Sequence, residues 1–186
     1  MANPDSIALA ASAEAEGLES VLVGGNAVNL HAYLRTTFDV DLLVRESESE
    51  RWLSFFKQRG YAVFRQTANF IRLHYAADPA GALPVDLMLA DEQTFARIRQ
   101  KSQRSDIGEG LSFAIPSPLH LIAMKLHALR NPQRFETGVD LQDVKHLIKT
   151  AKIDISSKEF IEILERYATD TIRARILREF GDESRS

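Results

Sequence analysis

The chain has 186 residues, 45% hydrophobic and 26% charged, with a formal net charge of −3. This size suits one domain, or one core with a helical extension, and the apolar share excludes a disordered chain. The absence of cysteine excludes disulfides, thiolate zinc sites and a cysteine nucleophile, and the slight acidity argues against a general coat for nucleic acid while leaving room for a local basic groove.

From about Asp5 to Glu19 small and apolar residues alternate with acids, which predicts an opening helix packed over a sheet. This stretch lacks the basic start and apolar core of a secretory signal, and no later run approaches the ~20 apolar residues of a bilayer span. The expectation is therefore a cytoplasmic protein with no membrane partner. Val21-Leu22-Val23 reads as a short buried strand, and Gly24-Gly25 ends it in a tight turn that leaves backbone N–H groups uncovered. Asn26 is the predicted N-cap of a short helix that buries Val28, Leu30 and Leu34. Orphan amides and a helix dipole at such a turn favour an anion, and phosphate fits. The next strand opens with Asp39 and Asp41, which alternation puts on one face, about 7 Å apart along the chain. Two carboxylates beside a phosphate-binding turn point to a divalent-metal and nucleotide site. Taken singly, the turn also reads as a plain connection and the Asp-x-Asp as a solvated strand end.

Glu46 to Glu50 is a polar connector into a helix carrying Trp52, Leu53, Phe55 and Phe56, stopped by Gly60. Tyr61–Gln66 and Asn69–Tyr75 read as strands, and residues 76–84 as loop. In the apolar strand from Pro84 to Leu89, Asp86 is a lone carboxylate, and burying one costs several kcal/mol unless it is paired or bound to metal. An exposed strand end is its plainer explanation.

A helix at about Asp91–Arg99 precedes a hairpin turn at residues 107–111 and a strand ending at Ile115. Arg97, Arg99, Lys101 and Arg104 read as a solvated helix end before a nucleic-acid contact. Pro116-Ser117-Pro118 marks a boundary, with Ser117 as N-cap and Pro118 as first helical residue. The helix that follows carries a stripe at Leu119, Ile122, Leu126 and Leu129, with Lys125 about 60° from it at ~100° per residue. Residues 130–134 read as a loop. A helix at about Val139–Thr150 packs Leu141, Val144, Leu147 and Ile148, and Asp140 and Asp143 suit its dipole. Ser156-x-x-Glu159 is a capping box, and a last amphipathic stretch, Thr171–Phe180, sets Ile172, Ile176, Leu177 and Phe180 against arginines. The five histidines make no metal-binding pattern.

Together, Gly24-Gly25-Asn26-Ala27, Arg35-x-Thr37-x-Asp39-x-Asp41 and the apolar Leu42-Leu43-Val44 resemble the signature of the DNA-polymerase-β-like nucleotidyltransferase superfamily. Within it they are similar to the small bacterial nucleotidyltransferases that include the AbiEii-type toxins. In that superfamily a third carboxylate sits on a strand beside the paired ones, and Asp86 fills the place. A second segment, Ile122-x-x-Lys125-Leu-x-Ala128-Leu-Arg130 followed by Asp140-x-x-Asp143-Val, resembles the Lys-x4-Arg and downstream Asp motif of AbiEii-like transferases. The Arg130-to-Asp140 link is longer than is usual there, and Asn26 stands where many members carry Ser or Thr.

The resemblance implies an α+β fold. A mixed β-sheet nucleotidyltransferase core flanked by helices would occupy residues 1–115, with a C-terminal helical region, 116–186, packed on it. It implies transfer of NMP from an NTP such as ATP to a hydroxyl, with Asp39, Asp41 and Asp86 as ligands of Mg2+ or Mn2+. Asp39, Asp41, Asp86 and Lys125 would be catalytic. Gly24, Gly25, Asn26, Arg35, Thr37, Arg130, Asp140 and Asp143 would serve the nucleotide. The acceptors implied are tRNA or other RNA, proteins or small antibiotics, and one setting is a toxin with a cognate antitoxin. The alternatives are a non-catalytic nucleotide-binding or protein-interaction module that kept the fold, and a plain RNA-binding protein.

Overall fold

The computed structural model of the chain describes residues 5–31, 34–108 and 110–181. The chain divides into two compact units, one taking residues up to Ala27 with Arg35–Pro116, the other Val28–Leu34 with residues from Ser117 on. Among the described residues no helix is long and apolar enough to cross a membrane.

The first unit is built on a mixed five-stranded sheet. Strands β1 (Val21–Leu22), β2 (Val40–Arg45), β3 (Tyr61–Thr67), β4 (Phe70–Tyr75) and β5 (Val85–Ala90) lie in the order β1-β2-β5-β4-β3. Only β2 and β5 run parallel, with Val40 opposite Val85, Asp41 opposite Asp86 and Leu42 opposite Leu87. Central strands covered on both sides read as near-continuous apolar runs, and VDLLVR and VDLMLA do so apart from their aspartates and the terminal Arg45. The edge strand β3 forms as predicted but differs in burial: Val63 and Phe64 are exposed.

Helix α1 (Ser6–Ser12) is capped by Asp5, whose carboxylate accepts from the Ile7 and Ala8 amides. It is shorter than the predicted opening helix. A 3-10 turn, Ala13–Glu16, follows it and ends at Gly17 with φ +71°. Helix α2 (Gly24–Leu30) begins at Gly24 itself, so Asn26 sits inside its first turn and is not the N-cap. Leu34 lies beyond the helix and is exposed, against the expectation that it is buried. Helix α3 (Ser49–Gln58) buries Trp52, Phe55 and Phe56; Phe56 stacks on Trp52 and meets Phe55 and Tyr61 edge-on, and Gly60 closes the helix with φ +86°. Helix α4 (Glu92–Gln100) is capped by Asp91, which accepts from the Thr94 amide, and it buries Phe95.

Strands β6 (Gln103–Gly108) and β7 (Leu111–Ile115) form the expected hairpin, with Glu109 of its turn outside the described residues. Arg104 Nη1 holds both Glu14 oxygens at 2.7 Å, and Arg99 reaches the same carboxylate at 3.5 Å. Arg99 and Arg104 of the basic run are thus ion-paired within this unit.

The second unit is helical. Helix α5 (Pro118–Ala128) starts as predicted, with Ser117 Oγ accepting from the His120 amide and Pro118 in the first turn. Its buried face is Leu121, Ile122, Lys125, Leu126 and Leu129, so Leu121 replaces Leu119 and Lys125 lies within the stripe. The predicted loop after it contains helix α6 (Pro132–Thr137), started by Asn131, whose side chain accepts from the Gln133 amide. Helix α7 (Val139–Thr150) buries the four apolar residues expected of it and also Asp140 and Asp143. Helix α8 (Lys158–Tyr167) is capped by Ser157, one residue past the predicted cap, because Ser156 bonds Asp154 instead. Helix α9 (Asp170–Gly181) buries Ile172, Ile176 and Phe180, and α5 packs against α7 and α8.

Candidate metal and nucleotide site

Three carboxylates meet on one face of the five-stranded sheet. Asp39 immediately precedes β2, Asp41 is its second residue, and Asp86 is the second residue of β5. Parallel pairing places Asp41 beside Asp86. One oxygen from each of Asp39, Asp41 and Asp86 lies within 4.8 Å of the others. Asp86 is buried, Asp41 is 9% exposed, and Asp39 stands at the open side.

The glycine turn is shaped around these groups. Gly24 has φ +63°, and a Cβ built on it would lie 1.8 Å from Asp41 Oδ2. Any side chain there would displace the carboxylate, so Gly24 supplies both a left-handed backbone and the space Asp41 occupies. A Cβ on Gly25 would meet Thr37 Cγ2 at 2.4 Å and Arg35 Nη2 at 2.8 Å. Asn26 ties the turn to the carboxylates: its Nδ2 donates to the Asp39 carbonyl at 2.8 Å, and its Oδ1 accepts from Thr37 Oγ1 at 3.0 Å. The eight predicted residues Gly24, Gly25, Asn26, Arg35, Thr37, Asp39, Asp41 and Asp86 therefore gather in the first unit.

The donor set suits a hard divalent cation, which takes oxygen ligands. Twice the Mg–O distance is about 4.1 Å, so small rotations of the three side chains would let them share one ion. A cation of the protein already engages this cluster. Arg72 on β4 donates through Nε to Asp86 Oδ1 at 2.7 Å, and through Nη2 to Asp86 Oδ2 at 2.5 Å and Asp39 Oδ2 at 3.3 Å. The Asp86 hydrogen bond holds the guanidinium pKa above its ordinary value, against the pull of partial burial. Sequence reasoning missed Arg72. Its signal was a lone cation at the middle of Phe70-Ile-Arg-Leu-His-Tyr75, whose importance depends on the pairing of β4 with β5.

The remaining predicted residues lie in the second unit and are engaged there. Lys125 Nζ is 2.8 Å from both Asp140 Oδ1 and Asp143 Oδ2, and all three side chains are nearly inaccessible. Arg134, also missed, donates to Asp140 through Nε at 2.7 Å and Nη2 at 3.1 Å. Burial pushes the Asp140 pKa up, but the Arg134 hydrogen bond and the Lys125 charge outweigh it and hold the carboxyl below its usual range. Arg130 donates to the Arg166 carbonyl at 2.6 Å and the Tyr167 carbonyl at 3.1 Å, closing the end of α8.

No protein-family model matches the chain, and no curated protein matches it. Solved structures do. The ANT(2'')-Ia structure in complex with adenylyl-2''-tobramycin covers 92% of this chain and 94% of its own, at 16% identity and a TM-score of 0.60. An antigenic nucleotidyltransferase-like protein from Paracoccidioides brasiliensis covers 95% of this chain and 87% of its own, at 19% identity and 0.59. The lincosamide antibiotic adenylyltransferase LnuA, lincomycin-bound, covers 77% of this chain and 94% of its own, at 14% identity and 0.51. Identities this low speak to the fold alone. The chain has the α+β fold of the nucleotidyltransferases, with a mixed sheet that carries three carboxylates on one face.

Proposed function

We propose that the chain is a metal-dependent nucleotidyltransferase that moves NMP from an NTP to a hydroxyl of an acceptor and releases pyrophosphate. The observation that carries this reading is the convergence of Asp39, Asp41 and Asp86 beside the Gly24-Gly25 turn. Asp39 and Asp41 are assigned as ligands of Mg2+ or Mn2+, and Asp86 as a ligand or as the base nearest the attacking oxygen. Bound divalent ions would supply Lewis-acid charge for the leaving pyrophosphate and lower the pKa of the acceptor hydroxyl. Gly24 and Gly25 leave backbone amides uncovered for the triphosphate, with Arg35 and Thr37 buttressing the turn. Asn26 fixes the Asp39 backbone, a support its amide can give while its second N–H faces a phosphate.

The nucleotidyltransferase core is assigned to residues 1–115 and the helical region to 116–186. Lys125 is assigned, by resemblance, to offset charge on the transferring phosphoryl group, and Arg130, Asp140 and Asp143 to support the nucleotide. Two structural neighbours are named for antibiotic adenylylation, which puts ATP first among the nucleotides and a small hydroxylated molecule among the acceptors. The AbiEii resemblance adds RNA ends and proteins, and the setting of a toxin with an antitoxin.

The test is thermal stability with each of four NTPs, with and without Mg2+, on wild type and the Asp39→Asn/Asp41→Asn variant. A ligand at ~100 times its Kd adds about 2.7 kcal/mol of stability. The expected result is a Mg2+-dependent shift that the double variant loses. No shift with any NTP, or a shift the variant keeps, overturns the reading.

A further inference from the structure

Arg72 occupies a position that the proposed chemistry does not explain. Antiparallel pairing sets it opposite Asp86, while parallel pairing sets Asp41 on the other side of Asp86. The three side chains thus form a row across β4, β5 and β2. The guanidinium meets Asp86 fork to fork, at 2.7 and 2.5 Å, and touches Asp39 at 3.3 Å. Bidentate Arg–carboxylate contacts are the strong and directional kind of ion pair. Asp86 is 5% exposed at its side chain, and both of its oxygens are held by this one cation.

Such a contact has two consequences. With three carboxylates and one guanidinium the cluster carries about −2, enough to hold a divalent ion but less than the bare triad would. Arg72 holds both oxygens of Asp86 and one of Asp39, so a metal bound by the triad would share Asp86 with the guanidinium. A guanidinium finds an equally good bidentate partner in a phosphate.

We propose that Arg72 is a resident counter-ion of the triad that competes with metal for Asp86 and Asp39 and transfers to the polyphosphate when nucleotide arrives. The proposal rests on the nucleotide and metal reading above. It makes Arg72 a positioning residue that couples two binding events: metal alone binds weakly, and metal with nucleotide binds strongly, because nucleotide draws off the competing cation. The coupling is reciprocal, so metal must tighten nucleotide by the same factor.

The experiment titrates Mn2+ into wild type, Arg72→Gln and Arg72→Lys, with and without a non-hydrolysable ATP analogue, reading free Mn2+ by electron paramagnetic resonance. A +1 charge a few Å from a +2 ion weakens its binding by about tenfold even at the dielectric of water. Arg72→Gln is therefore expected to bind Mn2+ alone at least about tenfold tighter than wild type. The gain that nucleotide gives should shrink in proportion. Arg72→Lys keeps the charge without the fork and should fall between the two. It also serves if the glutamine variant does not fold, as judged by circular dichroism. Mn2+ bound equally or more weakly by folded Arg72→Gln, or by Arg72→Lys in its stead, overturns the proposal alone. Mn2+ bound by none of the three, with or without nucleotide, overturns the metal reading and this proposal with it.

Discussion

Replacing Lys125 by methionine separates a structural from a chemical role for the most buried cation of the helical unit. Its ammonium lies 2.8 Å from both Asp140 and Asp143, with side-chain exposures of 6%, 4% and 0% in that order. Methionine keeps most of the aliphatic stem but removes the charge. Asp140 would retain Arg134, whereas Asp143, whose side chain is fully buried, would lose its charge partner at 2.8 Å. Removing one partner of a buried pair costs about 3–5 kcal/mol, because the other is left uncompensated. With a urea slope of about 1–3 kcal/mol/M, the midpoint should fall by more than ~1 M. Urea unfolding followed by circular dichroism measures it, on Lys125→Met, Asp143→Asn and the double variant. The double variant should cost less than the two singles added, since it buries no orphan charge. A Lys125→Met midpoint equal to wild type would refute this reasoning. If transfer activity were lost at that unchanged midpoint, the work of Lys125 would lie in the chemistry.

Two further outcomes follow from single positions. Gly24→Ala must move either the turn or Asp41, because its Cβ would lie 1.8 Å from Asp41 Oδ2 at φ +63°. A left-handed backbone at a residue with a Cβ costs about 1–2 kcal/mol, so a lower melting temperature and loss of the Mg2+-dependent nucleotide shift are expected, and an unchanged shift would count against the placement of Asp41. Asp140 has a lowered pKa, so it stabilises the fold fully above its unfolded value near 3.8, and that contribution fades as pH falls through the lower folded value. Melting temperatures of wild type between pH 7 and 3 should therefore drop more steeply at the acid end than those of Asp140→Asn, and equal acid slopes would contradict the depressed pKa.

What the sequence made legible was what short spacing controls. Asp41 lies on β2 with Asp39 just before it, the strand starting one residue later than predicted, and the Gly-Gly turn lies between β1 and β2, so short-range spacing and backbone chemistry sufficed to bring them together. The Ser117-Pro118 helix start and the buried apolar residues of α7 were legible for the same reason. Partnerships across long separations were not. Arg72 meets Asp39 and Asp86 only through the order β2-β5-β4, which no local pattern encodes. The stripe of α5 departs from simple periodicity at Lys125, which lies inside it and not at its border. Two acids on another helix make its burial tolerable, and periodicity counts a lysine as polar whatever faces it. Helix α6 was missed although Asn131-Pro132 is a good start signal, since six residues are too few to show a period.

The register that unites the site is fixed by the opposite face of the same sheet. Val40 and Leu42 pair with Val85 and Leu87, which pair in turn with Leu73 and Ile71, and all six are buried. Side chains alternate with a period of two, so sliding β5 by one residue against β2 would carry Asp86 to the apolar face and Leu87 to the polar one. Each such exchange costs the burial of a Leu or Val, about 1.5–3 kcal/mol, and strands a carboxylate among hydrocarbons. The slipped sheet is therefore excluded by the core and not by the carboxylates, which repel one another. A site of like charges cannot assemble itself. Here the apolar layer beneath it, and Arg72 within it, hold Asp41 and Asp86 side by side before any ion or nucleotide is bound.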